Sequence, residues 1–148
     1  MAGDLYLLVG FPGSGKTTWA SNKVKDGGFA SISTDELVKM FKNLPKEKRR
    51  QFEIELAKEH LQKGNNVILD KMLMSSESRK KIIETLRPYA KKIIVVLFNV
   101  PLLKCLERNS KRSNDTRVSD RSYISHIKRF EYPDKIKEKF DELIEIKS

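Results

Sequence analysis

Short apolar runs alternate along the chain with segments whose apolar residues recur every three or four positions. A continuous apolar run of about four to eight residues is typical of a buried strand, whereas the longer spacing is typical of a helix. The runs predict strands over residues 5–10, 29–33, 67–69, 93–100 and 143–146. The spacing predicts helices over about 15–25, 37–41, 46–63, 75–87, 102–112 and 119–131.

This alternation of strands and helices indicates the fold class. Strands that are apolar throughout and separated by helices indicate a parallel sheet covered on both faces. No repeat, low-complexity tract or linker divides the sequence, so residues 1–148 are expected to form one domain. We expect a three-layer α/β fold with about five parallel strands. Ligands of such sheets bind beyond the carboxyl ends of the strands, so the residues that follow each strand are the candidates for function.

Composition excludes two broad classes of protein. Apolar residues make up 39% of the chain and charged residues 34%, a balance typical of a folded soluble domain. The longest apolar run, residues 93–98, is far shorter than the roughly 20 residues that a membrane-spanning helix needs. The single cysteine, Cys105, excludes an internal disulfide and a cysteine-rich metal site. The first residues do not resemble a signal peptide, so a cytoplasmic location without membrane contact is expected.

The charge balance points to an anionic partner. Thirty Lys and Arg against twenty Asp and Glu give a formal net charge of +10. A positive field of this size attracts polyanions and speeds their association, which predicts nucleic acid or another phosphorylated partner. The alternative is a solvated basic surface with no specific ligand.

The most specific motif lies between the first predicted strand and the first predicted helix. Residues 10–17, GFPGSGKT, fit the P-loop pattern G-x-x-x-x-G-K-[ST]. In this motif the loop N–H groups and the helix N-terminus face phosphate oxygens, the lysine reaches the β- and γ-phosphates, and the hydroxyl binds Mg²⁺. Lys16 and Thr17 are predicted to have those two roles, so ATP or another nucleoside triphosphate and Mg²⁺ are the expected ligands. The predicted phosphate-binding residues are Gly13, Ser14, Gly15, Lys16, Thr17 and Thr18.

Carboxylates follow the second and third predicted strands. Asp35 comes two residues after the second strand, where it can accept the proton of an attacking hydroxyl as a general base. The alternative for Asp35 is a helix cap, because Ser33-Thr34-Asp35-Glu36 is a good helix start. Asp70 directly follows the third strand, where it can hold a magnesium-bound water; its alternative is a loop cap.

A basic segment follows the fourth strand. Arg108 and Arg112 are four residues apart, so they are predicted to share one face of a helix whose other face carries Leu102, Leu103 and Leu106. Two guanidinium groups on a helical lid over about residues 102–121 can close over the phosphates of a nucleotide and neutralise charge that develops there. The alternative is a solvated cationic face.

Taken together, these segments resemble the kinase module of polynucleotide 5′-hydroxyl kinases over nearly the whole chain. Residues 10–20 (GFPGSGKTTWA), 61–70 (LQKGNNVILD), 108–112 (RNSKR) and 129–133 (RFEYP) carry the resemblance, and Asp35 falls at the general base of the family. The resemblance implies a P-loop NTPase fold with a helical lid. It also implies that Arg112 neutralises phosphate charge and that Arg108 is a lid residue on the donor nucleotide.

The sequence departs from the family where the phosphoryl acceptor binds. Thr34 and Val38 stand where arginines occur in the family, and residues 70–73 (DKML) replace its Asp-x-Thr-Asn. Three lysines, Lys39, Lys42 and Lys71, can replace the missing arginines as point charges.

The sequence therefore predicts a P-loop kinase that moves the γ-phosphoryl group of a nucleoside triphosphate to a hydroxyl. The predicted acceptor is the 5′-OH of a polynucleotide, with Lys16, Asp35 and Arg112 as catalytic residues. Two alternatives stay open: a kinase of a small hydroxyl compound such as a nucleoside, sugar or antibiotic, and a nucleotide-binding ATPase without phosphotransfer.

Overall fold

The computed structural model describes residues 1–147, in which strands and helices alternate from the first strand onward. The strands are β1 (Leu5–Val9), β2 (Phe29–Ser33), β3 (Asn66–Asp70), β4 (Ile93–Asn99) and β5 (Glu142–Lys147). The helices are α1 (Lys16–Asp26), α2 (Thr34–Met40), α3 (Lys46–Gln62), α4 (Ser76–Leu86), α5 (Leu102–Ser110), α6 (Asp120–Arg129) and α7 (Lys135–Glu138). A short 3-10 helix, Arg87–Tyr89, follows α4. No helix among residues 1–147 is long and apolar enough to cross a bilayer.

The five strands form one sheet in the order β2-β3-β1-β4-β5, and every adjacent pair is parallel. β1 is the central strand, with Leu5 in register with Val67 of β3 on one side and with Ile93 of β4 on the other. The chain leaves β1 toward β2 on one side of the sheet and leaves β3 toward β4 on the other. The carboxyl end of β1 is therefore the switch point of the sheet, where ligands of open parallel sheets bind.

The sheet separates two apolar cores, which confirms the predicted three-layer α/β fold. One core lies between the sheet and α2, α3 and α4, and includes Leu7, Leu61 and Ile83. The other lies between the opposite face and α1, and includes Leu8 and Ala20. Every residue of β4 except Asn99 is buried, as its continuous apolar sequence predicts. β5 differs, because it is an edge strand whose residues are mostly exposed.

The helix after β4 is shorter than predicted, and its leucines are exposed. α5 ends at Ser110, so Arg112 lies in the following loop and does not share a helical face with Arg108. The buried residues of α5 are Cys105 and Asn109. The three leucines of the opposite face are exposed: Leu102 at 37%, Leu103 at 75% and Leu106 at 36%.

A buried ion pair anchors the segment beyond α6 to the segment that follows β3. Arg79 is fully buried and donates to both carboxylate oxygens of Glu138, at 2.6 and 3.0 Å. The same guanidinium donates to the carbonyl oxygens of Leu73 and Met74, at 2.7 and 3.0 Å, and to that of Glu131 at 2.8 Å. Because its partners come from both segments, this one side chain fixes the chain just beyond the end of β3, where the site lies.

Glu138→Ala leaves the buried Arg79 without its counterion, so it is expected to lower the free energy of unfolding by about 3–5 kcal/mol. The matched control is Glu59→Ala, which removes an exposed pair with Lys63 and is expected to cost less than about 0.5 kcal/mol. Urea unfolding of both variants measures the difference. Equal stabilities of the two variants would contradict the anchoring role of the pair.

Candidate nucleotide-binding site

The loop between β1 and α1 requires glycine at two positions. Gly15 precedes the first residue of α1 with a φ of 100°, in the left-handed region. Gly13 has a φ of 91°, and a Cβ built on it would lie 2.4 Å from the carbonyl oxygen of Cys105. The loop therefore adopts a conformation open to glycine and packs against α5 too closely for a side chain.

Lys16, the first residue of α1, is buried with only 7% of its surface exposed. Its ammonium group donates to the carbonyl oxygens of Gly10 and Phe11, at 2.7 and 3.2 Å. Burial lowers the pKa of Lys16 to about 8, and nearby Asp70 opposes that shift. The side chain is therefore a cation with little water around it, held against its own loop.

The P-loop also contains a buried hydroxyl that has no hydrogen-bond partner among the described residues. The hydroxyl of Ser14 is buried and has no hydrogen-bond partner within residues 1–147. A buried polar group without a partner is costly, so this loop fits a ligand that supplies oxygen acceptors.

Asp70, the last residue of β3, lies beside the start of α1. The hydroxyl of Thr17 donates to the carboxylate of Asp70 at 3.0 Å. Burial raises the pKa of Asp70, while the Thr17 hydrogen bond and Lys16 oppose the shift. A hydroxyl and a carboxylate are oxygen ligands of the kind that Mg²⁺ prefers, so the two residues fit that ion. Residues 1–147 contain no cluster of three or more His, Cys, Asp or Glu side chains that could hold a metal, so Mg²⁺ here would need phosphates and waters as further ligands.

Asp35 lies in the first turn of α2, directly beyond the end of β2. The cap of this helix is Ser33, whose hydroxyl accepts a hydrogen bond from the N–H of Glu36 at 3.4 Å. The capping role that the sequence left open for Asp35 is thus carried out by Ser33, and the Asp35 carboxylate lines the cavity beside the P-loop.

We call this cavity, of about 190 Å³, the phosphate cavity. It lies where the ends of β1, β2 and β3 meet the loop after α5. It brings together all three predicted catalytic residues and both predicted metal ligands, together with Thr34, Lys71 and Met72. The predicted site residues that line it are Gly13, Lys16, Thr17, Asp35, Asp70 and Arg112.

The other predicted nucleotide-binding residues lie around a neighbouring cavity of about 500 Å³, which we call the lid cavity. Gly13 and Arg112 line both cavities, so the two meet at the P-loop and the loop after α5. Aromatic and apolar side chains form much of the remaining wall, as suits the base of a nucleotide. The residues that line the lid cavity include Ser14, Gly15, Thr18, Trp19, Phe98, Arg108 and Arg112.

Sequence reasoning missed two residues that hold the lid in place, one through contacts within the lid and one through a contact with the P-loop. Asn109 forms two hydrogen bonds with the backbone of Val118, at 2.9 and 3.0 Å, and so closes the loop that contains Arg112. Tyr123 of α6 is buried, and its hydroxyl donates to the carbonyl oxygen of Pro12 at 2.7 Å. Both residues bind main-chain atoms, which carry no sequence signal, so no motif could have found them.

Arg108 adds a second hydrogen bond between the lid and the P-loop. Its guanidinium donates to the carbonyl oxygen of Gly13 at 3.2 Å. Arg108 and Arg112 do not share a helical face, but both line the lid cavity. We therefore still expect the two arginines to act on one ligand.

Sequence reasoning also missed Glu53 and a third cavity, of about 470 Å³, which we call the α3–α4 cavity. It shares Lys71 and Met72 with the phosphate cavity. Lys39 and Lys42, the other lysines considered as replacements for the missing arginines, line a different surface pocket at the end of α2. Of the three lysines, Lys71 is therefore the one that lies at the site.

The strand, glycine loop and helix with a buried lysine define a P-loop nucleotide-binding protein with a kinase-like α/β fold. Residues 5–133 match the model of a family described as an AAA domain, and the chain belongs to that family. Among curated proteins, none matches the chain by sequence.

Solved structures with the same fold include nucleotide-binding proteins and a kinase. A chain of the Pnkp1/Rnl/Hen1 RNA repair complex is 27% identical with a TM-score of 0.71; the match covers 95% of this chain but 47% of that one. Kti12 of Chaetomium thermophilum, in complex with ADP-AlF3, is 18% identical with a TM-score of 0.72, covering 97% and 88%. The APS kinase CysC of Mycobacterium tuberculosis, in complex with AMPPNP and APS, is 16% identical with a TM-score of 0.64, covering 97% and 88%. This chain thus spans less than half of the chain from the repair complex.

Nucleotide affinity is expected to weaken as the pH rises above about 8, the pKa of Lys16 in the free protein. Because that pKa is lowered, the ammonium charge is present below pH 8 and is lost as the pH rises through it. The dissociation constant of a non-hydrolysable ATP analogue should then increase by up to about tenfold per pH unit. Titration calorimetry from pH 7 to 9.5 measures the dependence. The control is Lys16→Met, which should bind weakly at every pH; the same affinity for the wild type across this range would contradict the assignment.

Proposed function

We propose that the protein transfers the γ-phosphoryl group of a nucleoside triphosphate, with ATP as the expected donor, to the 5′-OH of a polynucleotide. The observation that carries the proposal is the convergence of Lys16, Asp35 and Arg112 on one small cavity beyond the ends of β1 and β2. A cation for the phosphates, a carboxylate for the hydroxyl proton and a lid guanidinium are the groups that phosphoryl transfer uses.

The donor would bind with its phosphates against the P-loop. The N–H groups at the start of α1 and the partial positive charge of that helix end would hold the phosphate oxygens. Lys16 would exchange its two carbonyl partners for the β- and γ-phosphate oxygens, a favourable exchange because a buried ammonium interacts more strongly with an anion than with a dipole. Thr17 and Asp70 would hold Mg²⁺, which would supply positive charge beside the phosphates.

Asp35 would then act on the acceptor. Its carboxylate accepts the proton of the 5′-OH as the hydroxyl oxygen forms a bond to the γ-phosphorus. The bond from that phosphorus to the β–γ bridging oxygen breaks, and its electron pair leaves with the nucleoside diphosphate. Arg112 would stabilise the negative charge that develops on the bridging oxygen, since it lines both the phosphate cavity and the lid cavity.

Three observations support a polynucleotide acceptor. The net charge of +10 favours polyanions. The segments at residues 108–112 and 129–133 resemble those of polynucleotide kinases. The 27% identical structure comes from an RNA repair complex. A cytoplasmic location, where nucleoside triphosphates and nucleic acids occur together, is part of this proposal.

A kinase of a small hydroxyl compound is the second candidate, and the α3–α4 cavity favours it. Its volume of about 470 Å³ is in the range of small-molecule sites. In a nucleotide-binding ATPase without phosphotransfer, Asp35 would accept the proton of an attacking water, and the α3–α4 cavity would have no acceptor to bind.

Asp35→Asn is nearly isosteric and leaves the Ser33 cap in place, so fold and nucleotide affinity should stay close to those of the wild type. The rate of transfer should fall by about 10²-fold or more, the usual effect of losing a general base. Single-turnover kinetics and nucleotide titration measure the two quantities.

The matched control is Glu36→Gln, which removes the neighbouring exposed carboxylate that does not line the phosphate cavity. Its transfer rate should stay within about twofold of the wild type. If Asp35→Asn retained the wild-type transfer rate while its melting temperature fell, Asp35 would be a structural residue only.

Salt dependence distinguishes the two acceptor classes. A polynucleotide must release counterions when lysines and arginines bind it, so its apparent affinity should fall with salt at a log–log slope of about −0.7 per phosphate contacted. A small neutral acceptor has no such contacts, so its KM should hardly change. Both KM values are measured at three salt concentrations, and the KM of the nucleotide donor is the internal control. A flat response for a 5′-OH oligonucleotide would favour the small-molecule kinase.

A further inference from the structure

Glu53 is a buried carboxylate that connects the two segments bearing the predicted catalytic and metal-binding aspartates. Only 4% of its surface is exposed. Its Oε1 accepts a hydrogen bond from the hydroxyl of Thr34 at 3.0 Å and from the ammonium of Lys71 at 3.4 Å. Thr34 directly precedes Asp35, and Lys71 directly follows Asp70. One carboxylate from α3 therefore holds both strand-end segments.

Lys71 occupies the position where two cavities meet. It lines the phosphate cavity together with Lys16 and Asp35, and it lines the α3–α4 cavity together with Glu53. Its side chain is 21% exposed, so the ammonium group is accessible from these cavities but restrained by its ion pair. An ammonium group has three donors, and Glu53 accepts from one of them.

The surroundings of Lys71 determine the kind of ligand that it can bind. Arg50 of α3 and Lys81 of α4 line the α3–α4 cavity, so its cations come from two helices as well as from the segment after β3. The carboxylate nearest to Lys71, Glu53, is buried and already paired. The other lining carboxylate, Glu77, lies 3.5 Å from the ammonium of Lys81. Three cations therefore face two carboxylates in this cavity, so its lining carries a net positive charge that favours an anionic ligand.

We propose that the α3–α4 cavity receives the end of the acceptor. Lys71 binds an anionic oxygen of the acceptor where this cavity meets the phosphate cavity. Glu53 is the positioning residue for Lys71. This inference rests on the proposed function and deepens it by assigning the acceptor site. The ligand class is an anionic polynucleotide end whose hydroxyl points toward Asp35. This chain has no arginine at residues 34 and 38 to bind the acceptor. Lys71, whose position is fixed by Glu53, would bind the acceptor in their place as a single positive charge.

The test is direct binding of a single-stranded oligonucleotide with a free 5′-OH and a fluorophore at its 3′ end, measured by anisotropy without nucleotide. Lys71→Met should weaken binding by about tenfold or more, the usual effect of losing a hydrogen bond between charged groups. The control variant is Lys39→Met, which removes the same charge from a residue that lines neither cavity; it should change binding by less than twofold. A circular oligonucleotide with an internal fluorophore has no end and should bind Lys71→Met and wild type equally.

Glu53→Gln tests the positioning role, because the amide oxygen still accepts from Thr34 but no longer attracts Lys71. It should weaken binding of the linear oligonucleotide several-fold, and the double variant with Lys71→Met should bind no more weakly than Lys71→Met alone. Additive losses would show that Glu53 acts through the fold and not through Lys71. In Lys71→Met, oligonucleotide affinity should fall more than nucleotide affinity, because Lys71 is assigned to the acceptor and Lys16 to the donor phosphates.

The outcomes separate this inference from the proposed function. If Lys71→Met binds the linear oligonucleotide as the wild type does, or if the wild type does not prefer the linear form to the circular one, the acceptor-site assignment is wrong. If Lys71→Met loses binding while the wild-type protein transfers no phosphate to the oligonucleotide, the assignment of the acceptor site stands and the proposed reaction fails.

Discussion

The burial of one ammonium group constrains the rest of this structure. Lys16 lies at the carboxyl end of the central strand, where carbonyl oxygens of Gly10 and Phe11 replace its water. A buried cation is unfavourable unless it is paired, and burial lowers the pKa of Lys16 to about 8. The parallel sheet makes this burial possible, because β3 and β4 flank β1 and bring Asp70 to the same edge. In the proposed function, a nucleotide polyphosphate would supply further negative charge beside this cation.

The lid is held to the P-loop through main-chain contacts. Tyr123 donates to Pro12, Arg108 donates to Gly13, and the carbonyl oxygen of Cys105 leaves no room for a Cβ at Gly13. Burial raises the pKa of the Tyr123 hydroxyl, so it stays protonated as a donor at physiological pH. Because the loop and lid share these contacts, a change in the P-loop on binding phosphate reaches the loop that carries Arg112. We expect donor binding and lid position to be coupled for this reason.

The parts of the site that sequence could predict are those that depend on local chemistry. The P-loop is contiguous, and strand ends follow from apolar runs, so the sequence predicts that Lys16, Thr17, Asp35 and Asp70 lie at one edge of the sheet. The fold class followed from the same alternation. The buried pair of Arg79 and Glu138, by contrast, joins residues 59 positions apart and has no local pattern.

Long-range contacts determine what sequence could not predict. The helical spacing of residues 102–112 predicts a helix that carries Arg112, but the helix ends at Ser110. Asn109 there donates to the carbonyl oxygen of Val118 and accepts from its N–H, which closes the loop that contains Arg112. The leucines of α5 are exposed while Cys105 and Asn109 are buried, because the packing of α5 against the P-loop selects its inner face. In the sequence, Glu53 is one charged residue among many on a polar helix. Its partners, Thr34 and Lys71, follow β2 and β3 and come close to it only in the folded chain.

The most direct measurement of the central claim is the fate of the γ-phosphoryl group. The protein is incubated with γ-labelled ATP and Mg²⁺, with and without a 5′-OH oligonucleotide, and the label in the oligonucleotide and in inorganic phosphate is quantified. The account predicts label at the 5′ end of the oligonucleotide, with release of inorganic phosphate slow in its absence. Release of label as inorganic phosphate at the same rate with and without the oligonucleotide, and none in the oligonucleotide, would contradict it.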